Sequence, residues 1–221
     1  MIRAALSAVE GRSYLEIGVR RGECFHEIEA ETKVGVDPEF TFRPPIRASL
    51  RKLLRRRTGA FYFRMTSDAF FTGPARRFPP FDVVLVDGLH TYAQSYVDIL
   101  NAVRVLDEHG IVVVHDCNPA SAAAAAPTLE EAMETPGFNG DWNGDVYKAL
   151  IRIRTHGDLR ASVIDSDQGL GIVRRGVAEA RLELASVEIE RLGYEDFSLD
   201  RVRLLGLRAP DRLAATLAEA T

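Results

Sequence analysis

Short apolar runs alternate with longer amphipathic stretches along the first two thirds of the chain. Five runs have the length and composition of buried parallel strands, and they cover residues 14–19, 33–37, 61–65, 82–87 and 110–116. They are too continuously apolar for strands with one side in water. The clearest helical segment covers residues 93–107, where apolar side chains recur at spacings of three and four, at Tyr96, Ile99, Leu100, Val103 and Leu106. This alternation predicts a doubly wound α/β sheet.

The pattern changes after residue 116. Alanine-rich and glycine-rich segments predict loops on both sides of a short helix, which begins near Pro127 and carries a capping box of Thr128 with Glu131. A helix is expected over residues 146–154, and residues 160–165 and 169–174 predict a terminal hairpin. Residues 177–221 are predicted to be helical, with one stripe from Leu182 to Leu192.

These elements predict an α/β fold with a mostly parallel, seven-stranded, Rossmann-like sheet, a terminal antiparallel hairpin strand and C-terminal helices. We place a ligand-binding domain at residues 1–176 and a C-terminal helical extension at residues 177–221.

Composition narrows the class of partner. With 221 residues, of which 46% are hydrophobic, the chain can bury one sizeable core. The formal net charge of −4 gives no global attraction to nucleic acid or to an anionic membrane, so we expect a small-molecule partner. Two cysteines, Cys24 and Cys117, and no sustained apolar segment predict neither a disulfide scaffold nor a membrane span, and we expect a cytoplasmic protein. A homo-oligomer is compatible with the sequence.

Glycines and acids follow the first two predicted strands. Glu16, Gly18 and Gly22 lie at the turn after the first strand, and Asp37 ends the second strand 21 residues after Glu16. In open parallel sheets, ligands bind beyond the carboxyl ends of the strands, where glycine lets the backbone approach closely. An acid at the position of Asp37 is typical of a ribose-binding carboxylate. A tight structural turn and a helix cap are the alternatives.

This ordered set resembles the class I S-adenosylmethionine-dependent methyltransferases, over roughly residues 12–175. The resemblance implies that Glu16, Gly18 and Gly22 face the methionine part of the donor and that Asp37 holds the ribose hydroxyls. It also implies that Ser67 and Asp68 border the adenine, and that Asp87 belongs to the donor site. The dinucleotide fingerprint is not matched, because Val19 and Arg20 follow Gly18 where a glycine should recur. An NAD-dependent oxidoreductase is therefore the alternative enzyme.

Two acids and two histidines end the fourth and fifth predicted strands. Asp87 and His90 follow strand four, and His115 and Asp116 end strand five. Because neighbouring parallel strands end at the same edge of a sheet, we expect these four side chains to converge. An imidazole with an ordinary pKa of about 6.5 suits proton abstraction near neutral pH, so His90 is the predicted base and His115 the second candidate. The alternative is that Asp87 caps a helix and His115 is a core residue.

The same region is similar to small-molecule O-methyltransferases, including sugar-modifying and catechol-type enzymes. This resemblance implies methylation of a hydroxyl group on a small molecule, for which a sugar or glycosylated metabolite is the predicted acceptor. The catechol-type enzymes also imply Mg²⁺ held by Asp87 and Asp116. Cys117 stands where they have a third oxygen ligand, and a thiol binds Mg²⁺ poorly, although Asn118 is the next residue.

Two further features have an open interpretation. Trp142 and Asp145, from the sequence GDWNGD, are candidate acceptor-binding residues, and Trp142 is equally suited to holding its loop against the core. The segment from Arg47 to Arg57 carries six basic residues. It favours a solvated helix face, and the alternative is an RNA-binding or RNA-modifying protein that uses this run.

Overall fold

The computed structural model describes residues 1–43, 58–178 and 180–219, so the basic run from Arg47 to Arg57 lies outside the described residues. The strands are β1 (Ser13–Ile17), β2 (Thr32–Val36), β3 (Gly59–Phe63), β4 (Phe81–Val86), β5 (Leu106–Val114), β6 (Leu159–Ile164), β7 (Leu170–Arg175) and β8 (Leu207–Arg208). The helices are α1 (Ile2–Ala8), α2 (Glu23–Glu27), α3 (Ser67–Thr72), α4 (Tyr92–Val105), α5 (Leu129–Glu134), α6 (Val146–Ile153), α7 (Ser186–Arg191), α8 (Tyr194–Leu205) and α9 (Leu213–Ala218). Short 3-10 turns cover Pro74–Arg77 and Pro210–Arg212.

The strands of the described residues form one sheet in the order β3-β2-β1-β4-β5-β7-β6-β8. β1 to β5 are mutually parallel, whereas β7 runs antiparallel to both β5 and β6. The doubly wound class and the terminal hairpin are confirmed. The strand count is eight rather than seven, because Leu207–Arg208 pairs in parallel with β6, and a strand of two residues leaves no readable pattern in the sequence.

Apolar side chains cover both faces of the sheet. On one face, Phe70 of α3, Ile99 of α4 and Leu150 of α6 belong to one buried cluster. On the other face, Phe25 of α2 and Leu217 of α9 belong to a second cluster. The strands between these layers are therefore buried on both sides, which explains their continuous apolar runs.

The C-terminal segment differs from the predicted single helical stripe. Leu182 is buried, but residues 180–185 form no helix and α7 begins only at Ser186. The Leu182 N–H donates to the carbonyl of Arg154 instead, so the backbone of this segment is bonded to the end of α6. The apolar spacing from Leu182 to Leu192 reflects contact with the core rather than one continuous helix.

Among the helices in the described part of the chain, none combines the length and the apolar character needed to cross a membrane.

Candidate functional site

The turn after β1 packs tightly against the turn after β4. Gly18 has φ +87°, and a Cβ there would lie 1.8 Å from the carbonyl oxygen of Asp87. Gly22 has φ +76° and precedes α2, where a Cβ would lie 2.7 Å from the ring of His26. Both positions therefore need glycine, and at Gly18 the close approach is to the protein backbone. This contact brings the first and fourth strand ends together.

Asp37 connects the loop after β2 to the turn after β1. Its carboxylate accepts the Arg20 N–H at 2.7 Å and the Glu39 N–H at 2.6 Å, and the residue is only 7% exposed. Each oxygen keeps a further lone pair, because a carboxylate offers about four acceptor sites. The structure thus places Asp37 at the end of β2, in the position expected of a ribose-binding acid, where it also orders the glycine turn.

Glu16 lies beneath this turn and is buried. The Tyr14 hydroxyl donates to its carboxylate at 2.5 Å and lies 3.6 Å from the sulfur of Cys24. Burial, with a smaller contribution from the charge of Asp87, raises the pKa of Glu16 to about 7, although the Tyr14 hydrogen bond opposes the shift. Glu16 is therefore a buried polar support of the turn as well as the acid of the expected motif.

Asp87, His90, His115 and Asp116 converge as the sequence predicts, and we call these four residues the rim cluster. His90 Nε2 lies 3.3 Å from Asp116 Oδ2 and 3.6 Å from Asp87 Oδ1. His115 Nδ1 lies 3.2 Å and 3.7 Å from the same two oxygens. Each imidazole thus faces both carboxylates.

The carboxylates control the protonation of both histidines. Burial alone lowers the pKa of an imidazole, but Asp87 and Asp116 more than offset it and raise the pKa of His90 above its ordinary value. Burial likewise opposes the shift at His115, where Asp116, Asp87 and Asp167 together raise the pKa to about 9. His115 Nε2 also lies 3.4 Å from Asp167, so both of its nitrogens face acids. The sequence-based argument from an ordinary pKa of about 6.5 therefore needs correction.

The backbone of Trp142 contacts the second ring nitrogen of His90. His90 Nδ1 lies 3.4 Å from the Trp142 carbonyl oxygen, which can only accept a hydrogen bond. A proton on Nδ1 can therefore be donated to this carbonyl, while Nε2 faces the two carboxylates. The indole of Trp142 stacks against His90, with ring centroids 5.2 Å apart, and its Nε1–H donates to the Ala126 carbonyl.

Asn143 supports Asp116 from a separate loop. Asp116 is 4% exposed and has φ +62°, and Asn143 Nδ2, in a residue that is 1% exposed, donates to Asp116 Oδ1 at 2.9 Å. Cys117 is buried, and its thiol donates a hydrogen bond to the Val114 carbonyl. The Asn118 side-chain amide donates to the Asp165 carboxylate. The side chains of Cys117 and Asn118 thus bond elsewhere, and the amide that contacts Asp116 is that of Asn143.

The rim cluster also has the composition of a cation site. One ligand atom from each of Asp87, His90 and Asp116 lies within 4.8 Å of the others. Two carboxylates suit Mg²⁺ or Mn²⁺, and the imidazole favours Mn²⁺ over Mg²⁺. Asp87 and Asp116 therefore fit a divalent cation, and His90 lies within reach of the same position, which was not anticipated from the sequence.

The remaining predicted residues flank the cluster. Asp145 Oδ1 accepts the Tyr92 N–H at 2.5 Å at the start of α4. Ser67 and Asp68 lie at the start of α3, where Gln94 Nε2 donates to them at 3.3 and 3.4 Å.

One buried acid was missed by the sequence analysis. Asp98 is buried on α4 and accepts from Gln94 Nε2 at 3.1 Å, and burial raises its pKa to about 6. A Cβ at Gly88 would lie 3.6 Å from its carboxylate, so Asp98 lies behind the Asp87-Gly88 turn. The sequence does contain a sign of this buried acid, because Asp98 directly precedes Ile99 on the face of α4 that packs against the core.

A polar cavity of about 570 Å³ opens beside the rim cluster, and we call it the acceptor cleft. Amides, hydroxyls and carboxylates dominate its lining, which includes Asn139, Asn143, Ser166, Asp167 and Gln168. Asn143 and Asp167 contact the rim cluster directly, through Asp116 and His115.

Comparisons with known proteins agree with this architecture. A family model described as a methyltransferase domain matches residues 15–117, a little under half of the chain. A search of curated proteins gave no match.

Solved structures share the fold at low identity. Cofactor-bound Rv0187 from MTB is 18% identical with a TM-score of 0.50, over 78% of each chain. A putative caffeoyl-CoA O-methyltransferase from Staphylococcus aureus is 11% identical with a TM-score of 0.51, over 79% of this chain and 81% of that one. An O-methyltransferase from Bacillus cereus in complex with SAH is 10% identical with a TM-score of 0.51, over 79% and 78% of the chains.

The matched residues 15–117 contain the glycine turn, Asp37 and the whole rim cluster. Over these residues the chain is similar to a methyltransferase domain, in agreement with the missing dinucleotide fingerprint.

Proposed function

We propose that the chain methylates a hydroxyl group of a small polyhydroxylated molecule, a sugar or a glycosylated metabolite. The observation that carries this proposal is the position of the rim cluster, with an imidazole nitrogen beside two carboxylates, next to the acceptor cleft, whose lining residues Asn143 and Asp167 contact the cluster. O-methylation is also the activity named for the structurally similar proteins from S. aureus and B. cereus.

The donor would lie over the turn after β1, at the carboxyl end of the sheet. In this proposal Asp37 accepts the ribose hydroxyls, while Glu16, Gly18 and Gly22 form the wall beside the methionine part. Ser67 and Asp68 border the base, and Asp87 lies between donor and acceptor. S-adenosylmethionine supplies an electrophilic methyl group when bound, so the protein has to position the acceptor oxygen and remove one proton.

His90 is the proposed base. Its Nδ1–H is held by the Trp142 carbonyl, so Nε2 is free to take the proton of the acceptor hydroxyl. The imidazolium that forms is stabilised by Asp87 and Asp116 at 3.6 and 3.3 Å. His115 is less suited to this role, because a pKa of about 9 keeps it protonated at neutral pH.

Asp87 and Asp116 would hold a divalent cation, Mg²⁺ or Mn²⁺. Such a cation would supply positive charge that lowers the pKa of a nearby hydroxyl group. The Asn143 amide keeps Asp116 in place, and Asp116 in turn faces both histidines.

The acceptor cleft favours an acceptor with many hydroxyl groups. Its amides and carboxylates, among them Asn139, Asn143, Asp165 and Asp167, provide hydrogen-bond donors and acceptors at close spacing. Trp142 and Asp145 fix the loop that forms one side of it, through Ala126 and Tyr92. A cytoplasmic location and a homo-oligomeric state stay predictions.

The proposal can be tested with labelled donor and a panel of glycosides, polyols and phenols. We expect transfer of the label to oxygen in a glycoside or polyol. Exclusive methylation of phenols would contradict the acceptor class, and methylation of nitrogen alone would contradict the reaction.

The cation requires a separate measurement. A chelator should abolish transfer, and Mg²⁺ or Mn²⁺ should restore it, while calorimetry shows unchanged binding of S-adenosylhomocysteine. Mn²⁺ binding followed by electron paramagnetic resonance should be lost in Asp116→Asn and retained in the exposed control Asp211→Asn. Loss of Mn²⁺ binding in His90→Ala as well would make His90 a ligand and remove it as the base. Full activity in chelator would remove the cation from the proposal.

A further inference from the structure

A second cavity, of about 170 Å³, lies far along the sheet from the rim cluster and shares no lining residue with the acceptor cleft. Four guanidinium groups line it, and only one carboxylate, that of Glu219, does so among the described residues. The four are Arg154, Arg160, Arg174 and Arg208, and we call this cavity the arginine pocket.

The strand register forces two of these cations together. Arg160 of β6 and Arg174 of β7 are directly opposite each other in the antiparallel pair, so their side chains leave the same face of the sheet. Like charges in such cross-strand pairs repel each other. The fold therefore accepts an unfavourable contact at this point.

Backbone carbonyls, rather than acids, contact most of these guanidinium groups. Arg154 donates to the carbonyls of Ala161 and Ala180, and Arg174 donates to that of Leu217 at 2.6 Å. Arg160 donates to the carbonyls of Val177 and Glu219. A carbonyl satisfies a hydrogen-bond donor but carries no net charge to balance the cation.

Two buried arginine nitrogens beside the pocket have no hydrogen-bond partner among the described residues. Arg154 and Arg174 are 9% and 5% exposed, and the buried Nε atom of each makes no hydrogen bond within the described part of the chain. Buried nitrogens of charged groups are nearly always hydrogen-bonded, because the unpaired state is costly. Burial, together with Arg208 and Arg203, also lowers the pKa of Arg154, as expected for a cation without a neighbouring acid.

Glu219 shows which chemistry the pocket accepts. Its carboxylate oxygens lie 2.6 and 2.8 Å from Arg208 Nη1, at one end of the arginine pocket. The planar guanidinium group matches carboxylate and phosphate oxygens well. Among the described residues, one carboxylate faces four cations, and a second anion would balance part of the remaining charge.

We propose that the arginine pocket is a binding site for a small oxyanion of the phosphate class, separate from the methyl-transfer site. The volume excludes a drug-sized molecule and suits an inorganic anion or the phosphoryl group of a small ester. Arg154, Arg160 and Arg174 would bind its oxygens, and Glu219 would compete with it for Arg208.

Calorimetric titration of the full chain with sodium phosphate tests this site, in an amine buffer and against sodium chloride at matched ionic strength. We expect saturable binding of one phosphate and a higher melting temperature in phosphate than in chloride. Arg160→Gln should weaken phosphate binding by about tenfold, the effect of losing one charge-assisted contact. Glu219→Gln should strengthen binding, because it removes the competing carboxylate. Arg104→Gln, an exposed arginine on α4, is the matched control and should change nothing.

Other anions identify the recognised group. Similar affinities for phosphate and glycerol phosphate would show that the phosphoryl group is sufficient, and binding of phosphate alone would show a pocket closed around the free ion. Acetate should bind more weakly than phosphate. Equal stabilisation by chloride, acetate and phosphate would mean a nonspecific salt effect and would overturn the proposal. So would phosphate binding that neither Arg160→Gln nor Glu219→Gln alters.

Discussion

The rim cluster and the arginine pocket each bring several ionisable groups together, but they balance their charges in different ways. At the rim, Asp87 and Asp116 face two imidazoles within 3.2 to 3.7 Å. In the arginine pocket, guanidinium groups face carbonyls, and two buried Nε atoms have no partner in the described residues. The rim contains its own counter-charges, whereas the pocket has one carboxylate for four cations among the residues that the structure describes.

The difference lies in which groups can give up a proton. An imidazole can lose its proton when a cation arrives and can take up the proton of an acceptor hydroxyl, so the rim cluster can change its charge during a reaction. A guanidinium group stays charged at any physiological pH. The arginine pocket can therefore be neutralised only by an added anion, which separates a site built for proton transfer from a site built for binding.

Replacing a histidine of the rim should give the largest effect. His90→Ala should lower turnover by about 10²- to 10⁴-fold with little change in donor affinity, the range typical of a positioned base. The wild-type rate should rise with pH as His90 loses its proton, at a pH above about 6.5, because the carboxylates raise the pKa of His90. The variant should lack this rise, which we call the rising limb of the pH profile. Steady-state rates from pH 5 to 9 measure both. The exposed His109→Ala is the control, and if His115→Ala alone removes the limb, His115 is the base.

Asp37 should affect the donor and not the acceptor. Asp37→Ala should weaken binding of S-adenosylhomocysteine by about 1 to 3 kcal/mol, since hydrogen bonds to a charged group are lost. The turn after β1 also loses the hydrogen bond from the Arg20 N–H to this carboxylate. Calorimetry on the folded variant gives the affinity, with the exposed Asp211→Ala as its control. Unchanged donor affinity would leave Asp37 with only its role in the loop.

Glu16 makes stability depend on pH. Its pKa is about 7 in the folded chain against 4.5 for a free side chain, so the folded state binds this proton more tightly. The contribution of this proton to the free energy of unfolding is fully present below about pH 4.5 and is lost as the pH rises to about 7. Glu16→Gln avoids this loss, so its advantage over wild type should grow by roughly 1 to 3 kcal/mol from pH 5 to pH 8.

Urea unfolding at the two pH values measures the difference for Glu16→Gln. The exposed Glu108→Gln should show none. An advantage that is the same at pH 5 and pH 8 would mean that Glu16 stays ionised in the folded state.

The sequence predicted the parts of the fold that repeat along the chain. β4 and the second half of β5, residues 110–114, are mostly apolar runs, and this pattern predicted Asp87 and Asp116 at the strand ends. The first half of β5 carries Asp107, Glu108 and His109 and was not predicted as a strand. The capping box was equally local, and Thr128 accepts the Glu131 N–H as predicted. Local patterns therefore determined the sheet and the position of the rim.

Contacts between distant segments could not be predicted in this way. Asn143 reaches Asp116 across 27 positions of the sequence, from a loop without periodicity. The arginine pocket depends on the register of β6 with β7, which places Arg160 opposite Arg174. The contact between His90 Nδ1 and the Trp142 carbonyl likewise joins two distant segments, so the sequence pattern could not predict it.

Replacing Arg160 should give the smallest effect, a change in stability. Its dependence on phosphate tests whether the arginine pocket, unlike the rim cluster, needs an added anion. Without phosphate and at low salt, Arg160→Gln should raise stability by about 0.2 to 1 kcal/mol, because it removes a like-charge pair from opposite strands. Glutamine keeps an N–H that can donate to the Val177 carbonyl, so the change is mainly one of charge. Chloride should reduce this gain in stability, because it screens the repulsion between the two arginines. Phosphate should reverse the gain, because it stabilises the wild type more than the variant. Thermal unfolding in low salt, high chloride and phosphate measures all three, with Arg104→Gln as control. A variant less stable than wild type in every condition would show that Arg160 is a structural hydrogen-bond donor and not part of an anion site.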